Sequence, residues 1–249
     1  MSKAQQQHRA RQHMEHLTEG SADNDQLRSW LKTYHPWAVI QAFQPFISEE
    51  RMNRIIKVAR NRTRSVIPVI DGLVNTGNVS AVMRSAEALG YQDIHVIVRT
   101  QVFKQSQRAS QGAEKWLDIY RWPDPVRCIQ SFREQGYNTV ALYLDEEAKP
   151  ISDIDFTHPT ALVFGNEEDG ISHEVLQQVD EKAILPMSGF TESFNVSVAA
   201  AITMYHIMEE RIRKIGYHAD LPIEAQTELM ARYCLNSMRG ADKMMERLL

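Results

Sequence analysis

Apolar runs alternate with amphipathic segments through the middle of the chain, and this alternation limits the possible folds. The runs SVIPVIDGL, IHVIV, TVALYL and TALVFG are typical of strands, and IHVIV has the continuous β-branched character of a strand covered on both faces. The segments VSAVMRSAEALG and PVRCIQSFREQG have the 3.6-residue period of helices. A short helix SHEVLQQV, a strand AILPM and a long helix FNVSVAAAITMYHIMEERIRKIG follow. This order predicts an α/β fold with a mostly parallel sheet and helices on both faces.

The chain divides into three predicted parts. The alternating elements fall within residues 48–215, which we expect to form one domain. Residues 1–47 are a polar extension whose one periodic segment is DQLRSWLKTYHPWAVIQAF, and residues 216–249 are a tail with a helical pattern. We expect the tail to pack on the outside of the domain. The extension is either a flexible arm or an added binding surface.

Composition excludes several classes of protein. Hydrophobic residues make up 43% and charged residues 24% of the 249 residues, as is ordinary for a soluble globular protein. Apolar runs stay short of the roughly 18–20 residues that a membrane span needs, and the N-terminus lacks the apolar core of a signal peptide. Cys128 and Cys234 have no close spacing, so neither a disulfide framework nor a zinc site is indicated. We therefore expect a cytoplasmic protein with no membrane segment and no metal.

The net charge of −4 conceals two basic stretches. Ser48, followed by Glu49 and Glu50, predicts the start of a helix that runs to about Arg64. That segment contains six basic residues and no acid from position 51 onward: Arg51, Arg54, Lys57, Arg60, Arg62 and Arg64. The second stretch holds Arg99, Lys104, Arg108 and Lys115. Each stretch alone could be a solvated face, but two of them favour a polyanionic partner.

Three loops rich in glycine and asparagine follow predicted strands, where open α/β sheets bind ligands. They are DGLVNTGNVSAVMR, FGNEEDGIS and LPMSGFTESFNVSVA. The first has the glycine spacing of a phosphate loop, but Asn78-Val79 replaces the lysine and hydroxyl residue, which excludes a nucleotide triphosphatase. The usual dinucleotide fingerprint is also missing. The acidic second loop favours a ligand that is uncharged or cationic at its reactive part.

Polar residues in these loops have both structural and ligand-binding interpretations. Arg84 follows Asn78 on the first helix and is long enough to reach back over a turn, where it could help free N–H groups grip a phosphate. Alternatively, Asn78 and Glu167 are helix caps and Arg84 forms a surface salt bridge. Ser193 and Asn195 precede the long helix, where they either cap it or hold a ligand.

Together, NTGNVSAVMRSAEALG, FGNEEDGIS and LPMSGFTESFNVSVA resemble the three signature motifs of the SpoU-type, or TrmH-like, RNA ribose 2′-O-methyltransferases of the SPOUT superfamily. Their order and spacing agree with that family over roughly residues 48–215, and Phe194 replaces the more usual leucine. The basic helix and the tail after Gly216 are more similar to the tRNA-modifying branch than to the ribosomal one.

The resemblance implies a deep trefoil knot in the C-terminal part of the domain. It also implies a homodimer with the knots at the interface, close enough for the partner to complete each site. It also implies that the second and third loops bind S-adenosyl-L-methionine. Seven positions match the cofactor pocket of the family: Leu142, Gly165, Asn166, Gly170, Leu185, Met187 and Phe194.

The implied reaction is attack of a ribose 2′-hydroxyl on the methyl group of the cofactor. Arg84 would stabilise the developing alkoxide, since a guanidinium stays protonated and is a poor base. Asn78 and Asn195 would orient the ribose or the arginine. Glu167 would order the pocket by accepting N–H bonds, and Ser193 would hydrogen-bond within its loop.

The expected substrate is tRNA, at the D-loop guanosine at tRNA position 18. The basic residues expected to contact RNA are Arg51, Arg54, Lys57, Arg60, Arg62, Arg64 and Arg108. Trp30, Tyr34 and Trp37 of the extension could stack on bases or pack against the domain. The alternatives are the same reaction on a ribosomal RNA nucleotide and a non-catalytic RNA-binding knot protein. A small-molecule α/β enzyme is disfavoured by the basic flank.

Overall fold

A computed structural model describes residues 21–22, 25–72, 76–98, 112–166 and 169–248. Its centre is one sheet with the strand order β1-β4-β3-β2-β7-β5-β8-β6. All the pairings are parallel except that of β1 with β4. The predicted mostly parallel sheet is therefore confirmed. The strands are β1 (Ser21–Ala22), β2 (Val66–Asp71), β3 (Asp93–Ile97), β4 (Asp118–Trp122), β5 (Asn138–Leu142), β6 (Lys149–Pro150), β7 (Thr160–Phe164) and β8 (Glu181–Ile184).

Helices precede, connect and follow the strands. They are α1 (Asp25–Thr33), α2 (Pro36–Phe43), α3 (Glu49–Arg60), α4 (Thr76–Leu89), α5 (Pro125–Glu134), α6 (His173–Leu176), α7 (Val196–Ile215), α8 (Ile223–Asn236) and α9 (Ala241–Leu248). Short 3₁₀ turns occupy Gln44–Phe46, Ala113–Trp116 and Ile151–Asp153. None of the helices in these described segments is long and apolar enough to cross a membrane.

Local sequence signals set several helix ends. The hydroxyl of Ser48 accepts a hydrogen bond from the backbone N–H of Arg51, which confirms the predicted start of α3. The helix ends at Arg60, before the predicted end near Arg64. Gly90 ends α4 with a φ of 89°, and a Cβ there would lie 2.4 Å from the carbonyl oxygen of Asn61. Only glycine fits both the backbone angle and this close approach.

Helices cover both faces of the sheet, as predicted. Alternate residues of β2 face opposite cores: Val66 and Ile70 join one cluster, while Ile67 and Val69 join the other. Residues of α4 and α7 fill the first cluster, and residues of α5 and α6 fill the second. Because both faces are covered, β2 is buried along its whole length, which explains its apolar run from Val66 to Ile70.

A third cluster joins the N-terminal and C-terminal helices. Buried side chains of α2, α3, α8 and α9 meet there, including Phe43, Ile55, Tyr233 and Met245. Trp30 and Tyr34 pack against this cluster, whereas Trp37 is exposed. Part of the predicted extension and part of the predicted tail therefore share one core.

Two arginines of the predicted RNA-binding set have structural partners instead. Arg62 is 1% exposed, and its guanidinium donates to the carbonyl oxygens of Glu87 and Tyr91 and to the carboxylate of Glu87. The side chain of Arg64 is 15% exposed and pairs with Asp93 at 3.0 Å and Asp118 at 2.7 Å. The expectation that Arg62 and Arg64 contact RNA is therefore not supported, because Arg62 is buried and both guanidinium groups are bonded to residues of the fold.

The carboxylate pair around Arg64 also holds α8 onto the sheet. Arg232 on α8 is buried and pairs with Asp118, and the hydroxyl of Tyr233 donates to the side chain of Gln92 at 2.8 Å. Burial lowers the pKa of Arg64, but nearby acidic groups, Asp93 and Asp118 foremost, raise it by more, so the pKa lies above its ordinary value. These buried charges compensate one another at the N-terminal ends of β3 and β4.

Candidate active site

The three predicted loops lie along one edge of the sheet. They follow β2, β7 and β8, and Leu142 is the last residue of β5. These four strands are consecutive neighbours in the order β2-β7-β5-β8 and run parallel, so their C-terminal ends are side by side. Ligands of open parallel sheets bind at such an edge. Glu167 and Arg108 lie outside the described residues.

Asn78 and Asn195 join the first loop to the third. Asn78 lies in the first turn of α4, and Asn195 is the N-cap of α7. The side-chain amide of Asn195 donates to the side-chain oxygen of Asn78 over 3.4 Å. The Asn195 side-chain oxygen accepts from the backbone N–H of Ser197 at 2.9 Å. Asn195 therefore does cap its helix, and it also contacts a second predicted site residue.

The second loop is a tight turn closed on itself. The backbone N–H of Asn166 donates to the carbonyl of Gly170 at 3.0 Å, and the Asn166 side-chain oxygen accepts from the N–H of Asp169 at 2.6 Å. A Cβ on Gly165 would lie 2.3 Å from the carbonyl carbon of Gly170, so only glycine allows this approach. Gly170 has a φ of +66°, which favours glycine for a different reason.

Asp71 fixes the second loop to β2. It is the last residue of β2 and is fully buried. Its carboxylate accepts bonds from the backbone N–H and the hydroxyl of Ser172, each at 2.7 Å. The sequence interpretation missed Asp71 and Ser172. An acid that ends an apolar strand ahead of a glycine-rich loop was the available signal.

The third loop has backbone groups available to a ligand. Leu142 and Leu185 pack at the border of the first core cluster, while Met187 is 36% and Phe194 is 42% exposed. Within the described residues, no backbone–backbone hydrogen bond involves residues 185–194. Their N–H and C=O groups can therefore bind a ligand that lies against these four apolar side chains.

Arg84 and Ser193 both face solvent. Arg84 lies on α4, further along the helix from Asn78, and no described residue forms a hydrogen bond or ion pair with its guanidinium. The surface salt bridge that was the alternative for Arg84 is thus not seen in this part of the chain. Ser193 likewise has no hydrogen-bond partner among the described residues, and its bond within the loop stays a prediction.

The loop after β5 borders the site and was not predicted. Tyr143, Leu144, Asp145 and Glu146 line an open depression there. Lys182 on β8 pairs with Asp145 and lies 3.6 Å from Glu147. The hydrogen bond from Lys182 is the largest of the effects that lower the pKa of Asp145. The loop therefore adds negative charge beside the carboxyl ends of β5 and β8.

The arrangement fits S-adenosyl-L-methionine better than a phosphate-bearing nucleotide. Apolar side chains and unpaired backbone groups suit an adenine ring, and the carboxylates near the β5 loop suit a sulfonium cation. The three loops also meet without the lysine that phosphate loops use.

Comparison with known proteins identifies relatives over most of the chain. Residues 65–205 match the model of the SpoU rRNA Methylase family. A tRNA (guanosine(18)-2′-O)-methyltransferase from Aquifex aeolicus is 33% identical over 172 residues, which cover 69% of this chain and 82% of that protein.

Two solved structures share the fold. The A. aeolicus TrmH/SpoU tRNA modifying enzyme superposes with a TM-score of 0.70 and 29% identity, covering 77% of this chain and 98% of that one. The SpoU methyltransferase AviRb from Streptomyces viridochromogenes, in complex with the cofactor AdoMet, has a TM-score of 0.53 and 28% identity over 62% of each chain.

The matched segment contains all three motif loops, the Asn78–Asn195 contact and Arg84. The agreement therefore covers both the sheet and the residues that meet at its edge. This chain belongs to the SpoU methylase family.

Proposed function

We propose that this protein is an S-adenosyl-L-methionine-dependent methyltransferase of the cytoplasm that acts on tRNA. The target is the ribose 2′-hydroxyl of the D-loop guanosine at position 18, the nucleotide in the name of the A. aeolicus relative. The observation that carries the proposal is the contact of Asn195 with Asn78, which lies on the same helix as the exposed Arg84.

The cofactor supplies the methyl group, carried on its sulfonium. Backbone groups of the third loop, together with Leu142, Leu185, Met187 and Phe194, would hold the adenine. Gly165, Asn166 and Gly170 would line the other side of the pocket, held in place by the hydrogen bonds that close their turn.

The chain's own polar groups would act on the ribose. Arg84 would stabilise the negative charge that develops on the 2′-oxygen as its proton leaves. Asn78 and Asn195 would position the ribose for in-line attack, which supplies a large part of the rate gain in such reactions. Ser193 and Glu167 complete the proposed set, Ser193 at the mouth of the third loop and Glu167 within the second.

An exposed basic stripe on α3 is the proposed tRNA contact. Arg54, Lys57 and Arg60 are exposed on that helix, three residues apart. Arg51 has other partners: its guanidinium lies 5.0 Å from the ring centroid of Trp116 and bonds the hydroxyl of Ser237. We therefore assign RNA contact to the three exposed side chains and to Arg108.

The position of this stripe supports a substrate larger than a nucleotide. Helix α3 leads into the N-terminal end of β2, whereas the motif loops follow C-terminal ends of strands. A folded tRNA is large enough to reach both regions, or the stripe of one subunit and the site of another.

We also propose a homodimer in which a C-terminal trefoil knot lies at the interface. Helix α7 has an exposed apolar stripe of Val198, Ile202, Tyr205 and Ile212. These residues recur at intervals of four, three and seven, so they lie on one side of the helix. A stripe of this kind beside the Asn195 end of α7 supports pairing with a second copy next to the site.

The test is methyl transfer from labelled S-adenosyl-L-methionine to purified unmodified tRNA and, separately, to ribosomal RNA, with mapping of the modified nucleotide. Label at guanosine 18 of tRNA is the expected result. Label only in ribosomal RNA would favour the second candidate, which the family's description as rRNA methylases supports. Cofactor binding without transfer to either RNA would contradict both and favour a non-catalytic RNA-binding protein.

A further inference from the structure

The side-chain amide of Asn195 has a defined orientation. Two groups of Ser197 donate to one atom of this amide: the backbone N–H at 2.9 Å and the hydroxyl at 2.6 Å. A backbone N–H can only donate, so the atom that it meets must be the carbonyl oxygen and not the amide nitrogen. The usual ambiguity between the two ends of an asparagine side chain is thereby removed.

This orientation points the nitrogen of Asn195 away from the start of α7. One of its hydrogens faces the side-chain oxygen of Asn78 at 3.4 Å. Asn195 is exposed, and no described residue accepts its second N–H. The amide therefore offers a donor, rather than an acceptor, to whatever binds beside Asn78.

We propose that Ser197 is a positioning residue for methyl transfer: its hydroxyl locks the Asn195 amide with the N–H side toward the ribose 2′-oxygen. This inference rests on the proposed function. As the 2′-hydroxyl loses its proton, its oxygen gains negative charge, and a hydrogen bond to a charged acceptor is stronger than one to a neutral acceptor. A donor fixed before the reaction stabilises this charge more in the transition state than in the ground state.

Removal of the hydroxyl separates this role from helix capping. In Ser197→Ala the backbone N–H still donates to Asn195, so the cap of α7 is preserved and only the shorter bond is lost. If Ser197 served only the cap, its replacement by alanine would therefore hardly change the rate of methyl transfer. A residue that holds the amide would change the rate of methyl transfer.

The expected effect of Ser197→Ala is a fivefold to tenfold fall in kcat for tRNA, on the order expected for loss of one hydrogen bond. The KM for S-adenosyl-L-methionine and the thermal midpoint should stay near wild type. Ser197→Thr, which keeps a hydroxyl, should restore most of the rate. The control is Ser131→Ala on α5, which also removes a short helical hydroxyl bond, of 2.7 Å to the carbonyl of Cys128, on the other face of the sheet.

A double-mutant cycle decides whether Ser197 acts through Asn195. In the Asn195→Ala background, Ser197→Ala should cause no further loss of kcat, because the group that it orients is gone. Equal losses in both backgrounds, or a wild-type rate in Ser197→Ala, would overturn the inference while tRNA methylation itself stands.

A wild type that methylates no tRNA would instead contradict the proposed function. The orientation can then be read from the NMR signal of the Asn195 side-chain amide. Ser197→Ala should shift that signal and Ser131→Ala should not. An unmoved signal would overturn the inference independently of activity.

Discussion

The carboxylate of Asp71 accepts hydrogen bonds from both the backbone N–H and the hydroxyl of Ser172, across 101 residues of sequence. Asp71 ends β2, where the first loop begins, and Ser172 is the last residue of the second loop. A single buried side chain therefore sets the distance between two of the three loops at the site.

Asp71→Ala should lower the free energy of unfolding by about 2–4 kcal/mol, because it leaves two buried donors of Ser172 without an acceptor. Urea denaturation followed by circular dichroism measures this loss. Asp169→Ala, at an exposed position of the same loop, is the control and should stay within roughly 0.5 kcal/mol of wild type. A similarly small change for Asp71→Ala would contradict the role of Asp71 in holding the two loops together.

Arg84→Ala should lower kcat for tRNA methylation by roughly 10²- to 10³-fold, as loss of a preorganised charge stabiliser does. Arg84→Lys should recover little, since an ammonium group lacks the planar geometry of guanidinium. Because Arg84 is exposed, the thermal midpoint should not move. The control is Arg127→Ala on α5, and near-normal rates in Arg84→Ala would remove Arg84 from the mechanism.

His218 should make stability depend on pH. Burial, aided by the charge of Arg211, lowers the pKa of His218 to about 4, and its ring packs 4.9 Å from that of Tyr91. Between pH about 6.5 and 4 the unfolded chain binds a proton that the folded chain rejects. The free energy of unfolding should therefore fall as the pH drops through this window, by about 3 kcal/mol in total.

His218→Phe should flatten that part of the profile while keeping a ring against Tyr91. Urea denaturation at several pH values between 4 and 7 measures the difference between variant and wild type. His158→Phe, at an exposed histidine, should leave the profile unchanged. Parallel profiles for wild type and His218→Phe would show that His218 does not titrate in this window.

The basic stripe on α3 predicts a change in the salt dependence of tRNA binding. Replacing Arg54, Lys57 and Arg60 together by alanine should reduce the slope of log K against log salt concentration by roughly 2–3, because three phosphate contacts are lost. Filter binding at several salt concentrations measures the slope. The double replacement of Arg127 and Arg133, exposed on α5, is the control, and an equal effect there would show that only net charge matters.

The apolar stripe of α7 predicts that Ile202→Asp converts the proposed dimer to a monomer, since it introduces a charge at the centre of the interface. Sedimentation velocity measures the association state. Ile223→Asp, at an exposed position that begins α8, should leave it unchanged. A wild-type protein that sediments as a monomer would contradict the homodimer.

Local patterns predicted the sheet because β2, β3, β5, β7 and β8 each contain or lead into a short apolar run. β4 was missed, since its Asp118 and Arg121 interrupt the apolar pattern. The burial of Asp118 depends on Arg64 and Arg232, which are 54 and 114 residues away. No reading of neighbouring residues reveals such a pairing.

The same limit explains the assignment of Arg62 and Arg64 to RNA. In sequence they extend the basic run of the helix, and only the fold shows that α3 ends at Arg60 and that Arg62 is buried. The sequence could predict Asn78, Arg84 and Asn195 as site residues because they lie within short sequence motifs. The proposed role of Ser197 could not be predicted from the sequence, because it depends on which end of the Asn195 amide faces α7.

The shared core of α2, α3, α8 and α9 has a consequence for biosynthesis. Arg51 bonds Ser237, a residue 186 positions later, so the helices that leave the ribosome early lack much of the described core around them until α8 has been made. Their apolar faces stay uncovered during translation of the whole sheet, which is the period in which nascent chains are most exposed to aggregation. Ribosome-bound chains arrested before residue 223 should therefore recruit chaperones to α2 and α3, whereas chains extended beyond residue 248 should not.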